Sequence, residues 1–330
     1  MLEPPNLPDD LIISKLEAEF GLTAAQVTFL PLGADVNTAV YRVVTPAGDP
    51  YFLKLRSGSF NPAAVEIPRL LRDQGVKGII APLETRAGAL WANLNDDFVM
   101  MLSPFVAGQN GYEVQLTDRQ RHDLGVTLKG LHAAQVGPDL GRRIPQESYS
   151  PRFRDEVLFF LNQVETRQYA EPVAARMAAF MRQQRDAITF LVERASTLAQ
   201  SRQEMPRSCV LCHGDIHPGN WLITPGGELY IVDWDTAVFA PKEHDLMFAG
   251  RSQKETTLFY QGYGPAQVDR EALAYYHYER IVQDVAAYGE QLLLNEAGGE
   301  DREQSYRYFC SNFLPGREID IARAADPQYT

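Results

Sequence analysis

Asp215 and Asn220 stand five residues apart in Leu211-Cys212-His213-Gly214-Asp215-Ile216-His217-Pro218-Gly219-Asn220, and Asp233 follows eighteen residues after Asp215 in Leu229-Tyr230-Ile231-Val232-Asp233-Trp234-Asp235. These types at these spacings are what in-line phosphoryl transfer requires. Asp215 offers a carboxylate to accept the proton of an incoming hydroxyl. Asn220 and Asp233 offer an amide oxygen and a second carboxylate to hold magnesium against nucleotide phosphates. The same run is compatible with a tight turn, in which Gly214 supplies φ > 0 and Asp215 bonds its own backbone. The apolar Cys209-Val210-Leu211-Cys212 before it and the second apolar run ending in Asp-Trp-Asp favour the chemistry, because together they read as two short strands presenting a polar loop.

Lys54 adds to this set. The chain has six lysines, and this one lies inside the apolar run Tyr51 to Arg56. Strand alternation puts Tyr51, Leu53 and Leu55 on one face and Phe52, Lys54 and Arg56 on the other. A lysine so placed either snorkels at a sheet edge or points into a cleft. The next element reads as a helix over 62–74, capped by Asn61 with Pro62 in its first turn, and it carries Glu66. A strand lysine paired with a helix glutamate is the arrangement that holds α- and β-phosphates. Lys54 and Glu66 fit those roles, although Pro68 removes a helix hydrogen bond and bends the chain near Glu66.

Around these residues the pattern changes character once. A helix over 9–20 ends at Gly21, and strands follow at 27–32, 38–45 and 51–56. A turn at Gly33-Ala34-Asp35-Val36-Asn37 separates the first two, and its amides are placed to touch phosphate. Two further strands lie within 88–102 around a turn at 93–97. Ser103-Pro104-Phe105-Val106-Ala107-Gly108 then breaks the strand pattern and reads as a hinge, with the backbone near Ser103 and Phe105 meeting an adenine edge. From Thr117-Asp118-Arg119-Gln120, a capping box, the chain turns helical: helices are expected at 151–166, 172–200, 241–249, 256–261, 270–296 and 302–313. Strands at 209–235 interrupt them, and residues 324–330 read as loose. The expectation is an α+β, bilobal fold, which the resemblance of the catalytic run to the kinase loop implies to be protein-kinase-like, with a small β-rich N-lobe over 1–103 that binds nucleotide. A larger, mainly helical C-lobe over 104–330 carries the catalytic loop and the acceptor pocket.

Charge and composition narrow the partners. Net charge is −12, and residues 204–330 carry 20 acidic against 10 basic side chains. That balance argues against a nucleic-acid partner and suits a cationic small-molecule substrate. Apolar runs fall short of a membrane span. The start, Met-Leu-Glu-Pro-Pro-Asn, lacks the basic and apolar regions of a secretory signal, so a cytoplasmic location is expected. Cys209, Cys212 and Cys310 are too few for a disulfide framework. Cys209-Val210-Leu211-Cys212-His213 matches the haem-attachment spacing, but its two apolar β-formers read as a strand in which buried cysteine acts as a small hydrophobe.

The catalytic run resembles the kinase loop in its His-Gly-Asp-x-x-x-x-Asn form, and almost the whole chain resembles the aminoglycoside phosphotransferase family. Within it the resemblance is strongest to the spectinomycin (9-hydroxyl) phosphotransferases. It is carried by Gly33-Ala34-Asp35-Val36-Asn37-Thr38, Asp233-Trp234-Asp235, Ala240-Pro241-Lys242-Glu243-His244-Asp245-Leu246-Met247-Phe248, Gln261-Gly262-Tyr263-Gly264 and His277-Tyr278-Glu279-Arg280-Ile281-Val282-Gln283-Asp284. The resemblance implies ATP and Mg2+, with Asp215 as base, Asn220 and Asp233 as magnesium ligands, and Lys54 on the α/β-phosphates beside Glu66. Asp235 either contributes through water or caps the following turn. His213 fixes the loop through backbone, and His217 and Pro218 shape it. Asp284 and Glu279, on the helix over 270–296, are expected to bind the amines of the acceptor. The implied activity is transfer of the γ-phosphoryl group to a hydroxyl of an aminocyclitol antibiotic, giving resistance. A metabolic small-molecule kinase of the choline, methylthio-sugar or homoserine type is the alternative.

Overall fold

The computed structural model describes residues 4–32, 37–205, 208–295 and 299–329. The expected phosphate-contacting turn at 33–36 and the end of the expected helix at 296 lie outside the described residues. In chain order the first elements are α1 (Asp9–Lys15, continued by a π-helical turn, Leu16–Phe20), β1 (Gln26–Leu30), β2 (Thr38–Val44), β3 (Pro50–Ser57) and α2 (Ala63–Asp73). Then come β4 (Ala92–Asn93), β5 (Phe98–Pro104), β6 (Gln109–Asn110), α3 (Asp118–His132), α4 (Pro138–Gly141), α5 (Arg152–Thr166), α6 (Pro172–Gln183) and α7 (Arg185–Gln203). The catalytic segment gives β7 (Val210–Cys212), β8 (Trp221–Ile223), β9 (Leu229–Ile231) and β10 (Val238–Ala240). The chain closes with α8 (Glu243–Leu246), α9 (Gln253–Tyr263), α10 (Arg270–Gly289, continued by Glu290–Leu294), α11 (Gly299–Ser311) and α12 (Glu318–Ala325).

These elements group into two units. The first is Met1–Pro145, Val210–Phe239 and Phe248–Pro265; the second is Gln146–Cys209, Ala240–Met247 and Ala266–Thr330.

In the first unit, β-branched and aromatic residues build an antiparallel five-stranded sheet in the order β1-β2-β3-β5-β4. The alternation expected for β3 holds. Leu53 and Leu55 are fully buried, together with Ala39, Tyr41 and Val43 of β2 and Met100 and Leu102 of β5, under Ile12 and Leu16. Lys54 lies on the opposite face, in register with Val40 and Met101. The burial of one face thus fixes the register, and the register fixes where the lysine points. α2 runs unbroken through Pro68, which is buried in its middle. β5 continues two residues beyond its expected end, to Pro104, pairing Phe52 with Ser103 and Tyr51 with Pro104. The small sheet β6-β8-β9 flanks the loop that contains Asp215. α3 opens with the expected capping box of Thr117 and Gln120, and α9 opens with a second one, Ser252 and Glu255.

The second unit is helical. α5, α6, α7, α10, α11 and α12 surround one core that includes Val157, Phe160, Met177, Leu191, Tyr278 and Ile281. Three expectations are corrected here. The helix expected over 172–200 is two helices that meet at Gln184, whose φ of −96° and ψ of 14° interrupt the turn. The buried positions run on from Met181 to Ile188 with a spacing of seven, so periodicity alone hides the break. The helix expected over 241–249 is a single turn, Glu243–Leu246. The C-terminal stretch is held rather than loose: α12 precedes it, Pro327–Tyr329 forms a 3-10 turn, and Arg194 binds both carboxylate oxygens of fully buried Asp326 at 2.7 Å.

Candidate active site

The first unit brings Lys54, Asp215, Asn220, Asp233 and Asp235 into one constellation. Its frame is the loop between β7 and β8. Gly214 has φ of 85°, and a Cβ there would come 2.2 Å from the Thr236 carbonyl oxygen, so the close approach and the backbone conformation both require glycine. His213 is fully buried against Trp234, with ring centroids 4.7 Å apart. Its Nε2 lies 3.0 Å from the Val232 carbonyl, and its Nδ1 accepts the Asp215 amide at 3.3 Å. An accepting Nδ1 leaves the proton on Nε2, which donates to Val232. His213 therefore ties the strand before the loop to the strand that delivers Asp233, the backbone role expected of it. The Trp221 indole donates to Ile216 carbonyl oxygen at 3.1 Å and closes the loop from the other side.

Asn220 ends a 3-10 turn, Pro218–Asn220. Its Nδ2 donates to the Asp215 carbonyl at 2.7 Å, and the Val232 amide donates to its own carbonyl at 3.0 Å. Among the described residues Oδ1 of Asn220 takes no hydrogen bond, and this is the atom a hard cation would use. Asp233 adopts φ of 67°, a left-handed conformation that is costly for a residue with a Cβ. Such strain persists where the surroundings over-determine it, and it gathers at functional sites. Its side chain is half exposed. The oxygens of Asn220 and Asp233 suit magnesium in type, and the fixed amide and the strained carboxylate fit a site built for a ligand.

Lys54 Nζ lies 3.0 Å from Asp233 Oδ1 and 2.9 Å from Asp235 Oδ2. Burial works against its charge, but the two carboxylates outweigh burial and raise its pKa above the ordinary lysine value. Arg56 joins Asp235 Oδ2 at 3.0 Å. Asp235 is thus a direct ion-pair partner of the strand lysine. The expected pairing of Lys54 with Glu66 does not form. Glu66, in the first turn of α2, is bound by Arg143 instead, while Lys54 is held by the two aspartates. Ser103 pairs with Phe52 at the end of β5. The Phe105 amide donates to Pro50 carbonyl oxygen at 3.4 Å, and its ring lies 5.4 Å from the Arg42 guanidinium.

The expected acceptor residues lie in the second unit. Glu279 is almost completely buried, with Oε2 at 2.8 Å from Arg154 Nη1. Arg154 also donates to the carbonyls of Tyr149 and Ser150 at 2.9 and 3.0 Å. Tyr149 is buried with φ of 56°, so this clamp holds a strained backbone against α10. Burial pushes the Glu279 carboxyl up to about 7 despite Arg154. Glu279 lines a cavity of about 90 Å³ with Glu147, Phe153, Tyr275, Tyr276 and Arg280. Asp284 is not among the lining residues. It lies 3.4 Å from Arg280 Nε and 3.5 Å from Asn312 Nδ2. Glu147 and Arg154 are the residues that sequence reasoning missed, because neither sits in a motif and both act across large sequence separations.

The family model that describes the phosphotransferase enzyme family (APH) matches residues 28–281. A spectinomycin phosphotransferase, APH(9)-Ia, solved in complex with ADP and spectinomycin, is 34% identical. The match covers 98% of this chain and 99% of that one with a TM-score of 0.89. Protein StrN of Streptomyces griseus is 28% identical over 252 residues, 71% of this chain and 74% of that protein. Choline kinase LicA of Streptococcus pneumoniae shares the fold at 15% identity, with 96% and 99% of the two chains covered and a TM-score of 0.56. The kinase-like α+β architecture expected of the sequence is therefore the observed one. The chain belongs to the phosphotransferase enzyme family, as a small-molecule kinase whose acceptor is an alcohol group.

Proposed function

We propose that this protein is an ATP-dependent O-phosphotransferase acting on a cationic aminocyclitol, spectinomycin first among candidates, and that the reaction inactivates the antibiotic. The observation that carries the mechanism is the constellation of Asp215, Asn220, Asp233 and Lys54 in one frame. Lys54 binds α/β-phosphate oxygens, with its charge secured by Asp233 and Asp235. Asn220 and Asp233 hold magnesium, which when bound neutralises charge on the phosphates. Ser103 and Phe105 meet the adenine edge, and Glu66 acts through Arg143 rather than on Lys54. Asp215 accepts the proton of the acceptor hydroxyl. That oxygen forms a bond to the γ-phosphorus, the bond from phosphorus to the β,γ-bridging oxygen breaks, and ADP leaves with the electron pair.

In this proposal residues 1–103 act as the nucleotide-binding lobe, and residues 104–330 carry the catalytic loop and the acceptor pocket. The cavity beside Glu279 and Glu147 supports a cationic acceptor. Its volume of about 90 Å³ takes several waters or one ammonium end, since a water needs on the order of 10–15 Å³ by this measure. Aromatic walls and carboxylates together favour an alkylammonium group. Asp284, tied to Arg280 of that wall, is proposed with Glu279 as an acceptor-binding carboxylate. The setting proposed is the cytoplasm, with no nucleic-acid or membrane partner; among the described residues no helix is long and apolar enough to cross a membrane. The test is ADP release by purified protein with Mg-ATP and one acceptor at a time: spectinomycin, kanamycin, choline, homoserine. Turnover with spectinomycin alone supports the proposal. Preference for choline or homoserine keeps the chemistry and removes the antibiotic.

A further inference from the structure

The catalytic loop holds a second histidine that the chemistry above leaves without a role. His217 caps the 3-10 turn, and its Nδ1 accepts the Gly219 amide at 2.9 Å. Neutral imidazole has one donor and one acceptor nitrogen, so an accepting Nδ1 places the proton on Nε2. That Nε2 lies 3.4 Å from Oδ2 of Asp215. The nitrogen that carries the proton therefore lies near one oxygen of the base, at a distance and angle short of a formed hydrogen bond. The ring is also confined. Tyr112 lies along it with centroids 5.8 Å and planes 30° apart, and a Cβ on Gly219 would come 2.6 Å from His217 Cε1. Glycine at 219 is what lets the ring occupy this place.

We propose that His217 is a positioning residue for phosphoryl transfer. Its Nε2–H holds Oδ2 of Asp215, fixes the rotation of the carboxylate, and so presents Oδ1 to the acceptor hydroxyl. The contact is longer than an ordinary N–H···O bond. Catalytic hydrogen bonds are commonly long in the absence of substrate and tighten in the reacting complex. His217 keeps its proton throughout, so the step needs no further reactant. The backbone amide of Gly219 sets the tautomer, which makes the turn itself part of the base's alignment. The inference rests on Asp215 being the base.

Two substitutions separate positioning from turn-capping. His217→Gln places an amide N–H near Nε2 and gives up the acceptor for Gly219. His217→Asn keeps an acceptor near Nδ1 and falls short of Asp215. The assay is steady-state turnover with Mg-ATP and spectinomycin, or with kanamycin, choline or homoserine should one of these be the better acceptor. Positioning predicts that His217→Asn lowers kcat about 10-fold or more with KM for ATP within about twofold, and that His217→Gln retains most of kcat. Gly219→Ala, which displaces the ring, should share the His217→Asn signature. The reverse order, with Asn active and Gln impaired, overturns the proposal, as do equal effects from both. Asp215→Asn is measured alongside. Turnover that survives Asp215→Asn removes the base assignment itself, whereas loss there with full kcat in His217→Asn removes only the role of His217.

Discussion

Lys54 and Asp235, 181 residues apart in sequence, meet at 2.9 Å, and Arg56 reaches the same carboxylate oxygen at 3.0 Å. The strand lysine of this kinase is thus oriented by the segment that follows β9 and carries Asp233 and Asp235, not by the helix that carries Glu66. Removing the charge as Asp235→Asn should weaken the hold on Arg56 and leave Lys54 paired with Asp233 alone, at a cost of about 1–2 kcal/mol of stability, the lower part of the range for charge-assisted hydrogen bonds because the site is partly exposed. Lys54→Met should weaken ATP binding about 10- to 100-fold, the equivalent of about 1.5–3 kcal/mol. Thermal melts and ATP titrations check both. An Asp235→Asn protein with unchanged melting temperature, or a Lys54→Met protein with unchanged ATP affinity, would show that the pair is incidental.

Asp233 supplies a second prediction. Its left-handed φ of 67° is one that asparagine also tolerates, so Asp233→Asn keeps the backbone while removing the anionic ligand. Magnesium should strengthen ATP binding in the wild-type protein and leave it nearly unchanged in the variant. Calorimetric titration with and without the metal reads this directly. A variant that still gains affinity from magnesium would place the ligand elsewhere.

Glu279 makes the stability of the second unit depend on pH. Burial raises its folded pKa to about 7, above an ordinary glutamate value of 4.5. The folded state then binds a proton more tightly than the unfolded state. Its contribution to stability is fully present below about 4.5 and is lost as pH rises through about 7, by about 3 kcal/mol at most. The melting temperature of wild type relative to Glu279→Gln should therefore fall between about pH 4.5 and 7. A difference that stays flat, or one that rises, would mean that Arg154 keeps the carboxylate charged throughout.

The parts of this architecture that were legible in sequence are those set by local pattern. Alternation in Tyr51 to Arg56 placed Lys54 opposite Leu53 and Leu55, and the Asp-x-x-x-x-Asn spacing placed Asn220 beside the Asp215 carbonyl. The capping box at Thr117 was legible, and Ser252-x-x-Glu255 carries the same kind of signal, which starts α9 three residues earlier than its apolar pattern suggests. Partners across long separations were not legible. Nothing local in Glu66 says that Arg143 will bind it, and nothing local in Asp326 says that Arg194 will bury it and order the C-terminus. Proline at 68 signalled a bend, yet it sits buried within an intact helix, because packing around Ile67 and Leu71 overrides local preference.

The central claim is that Asp215 accepts the proton of an acceptor hydroxyl during transfer from Mg-ATP, and a single-turnover experiment on Asp215→Asn tests it most directly. With Mg-ATP already bound, the account predicts a phosphoryl-transfer rate lowered by about 10²-fold or more, the range for loss of a general base, and ATP affinity close to wild type. Transfer at near wild-type rate with the same bound nucleotide would contradict it.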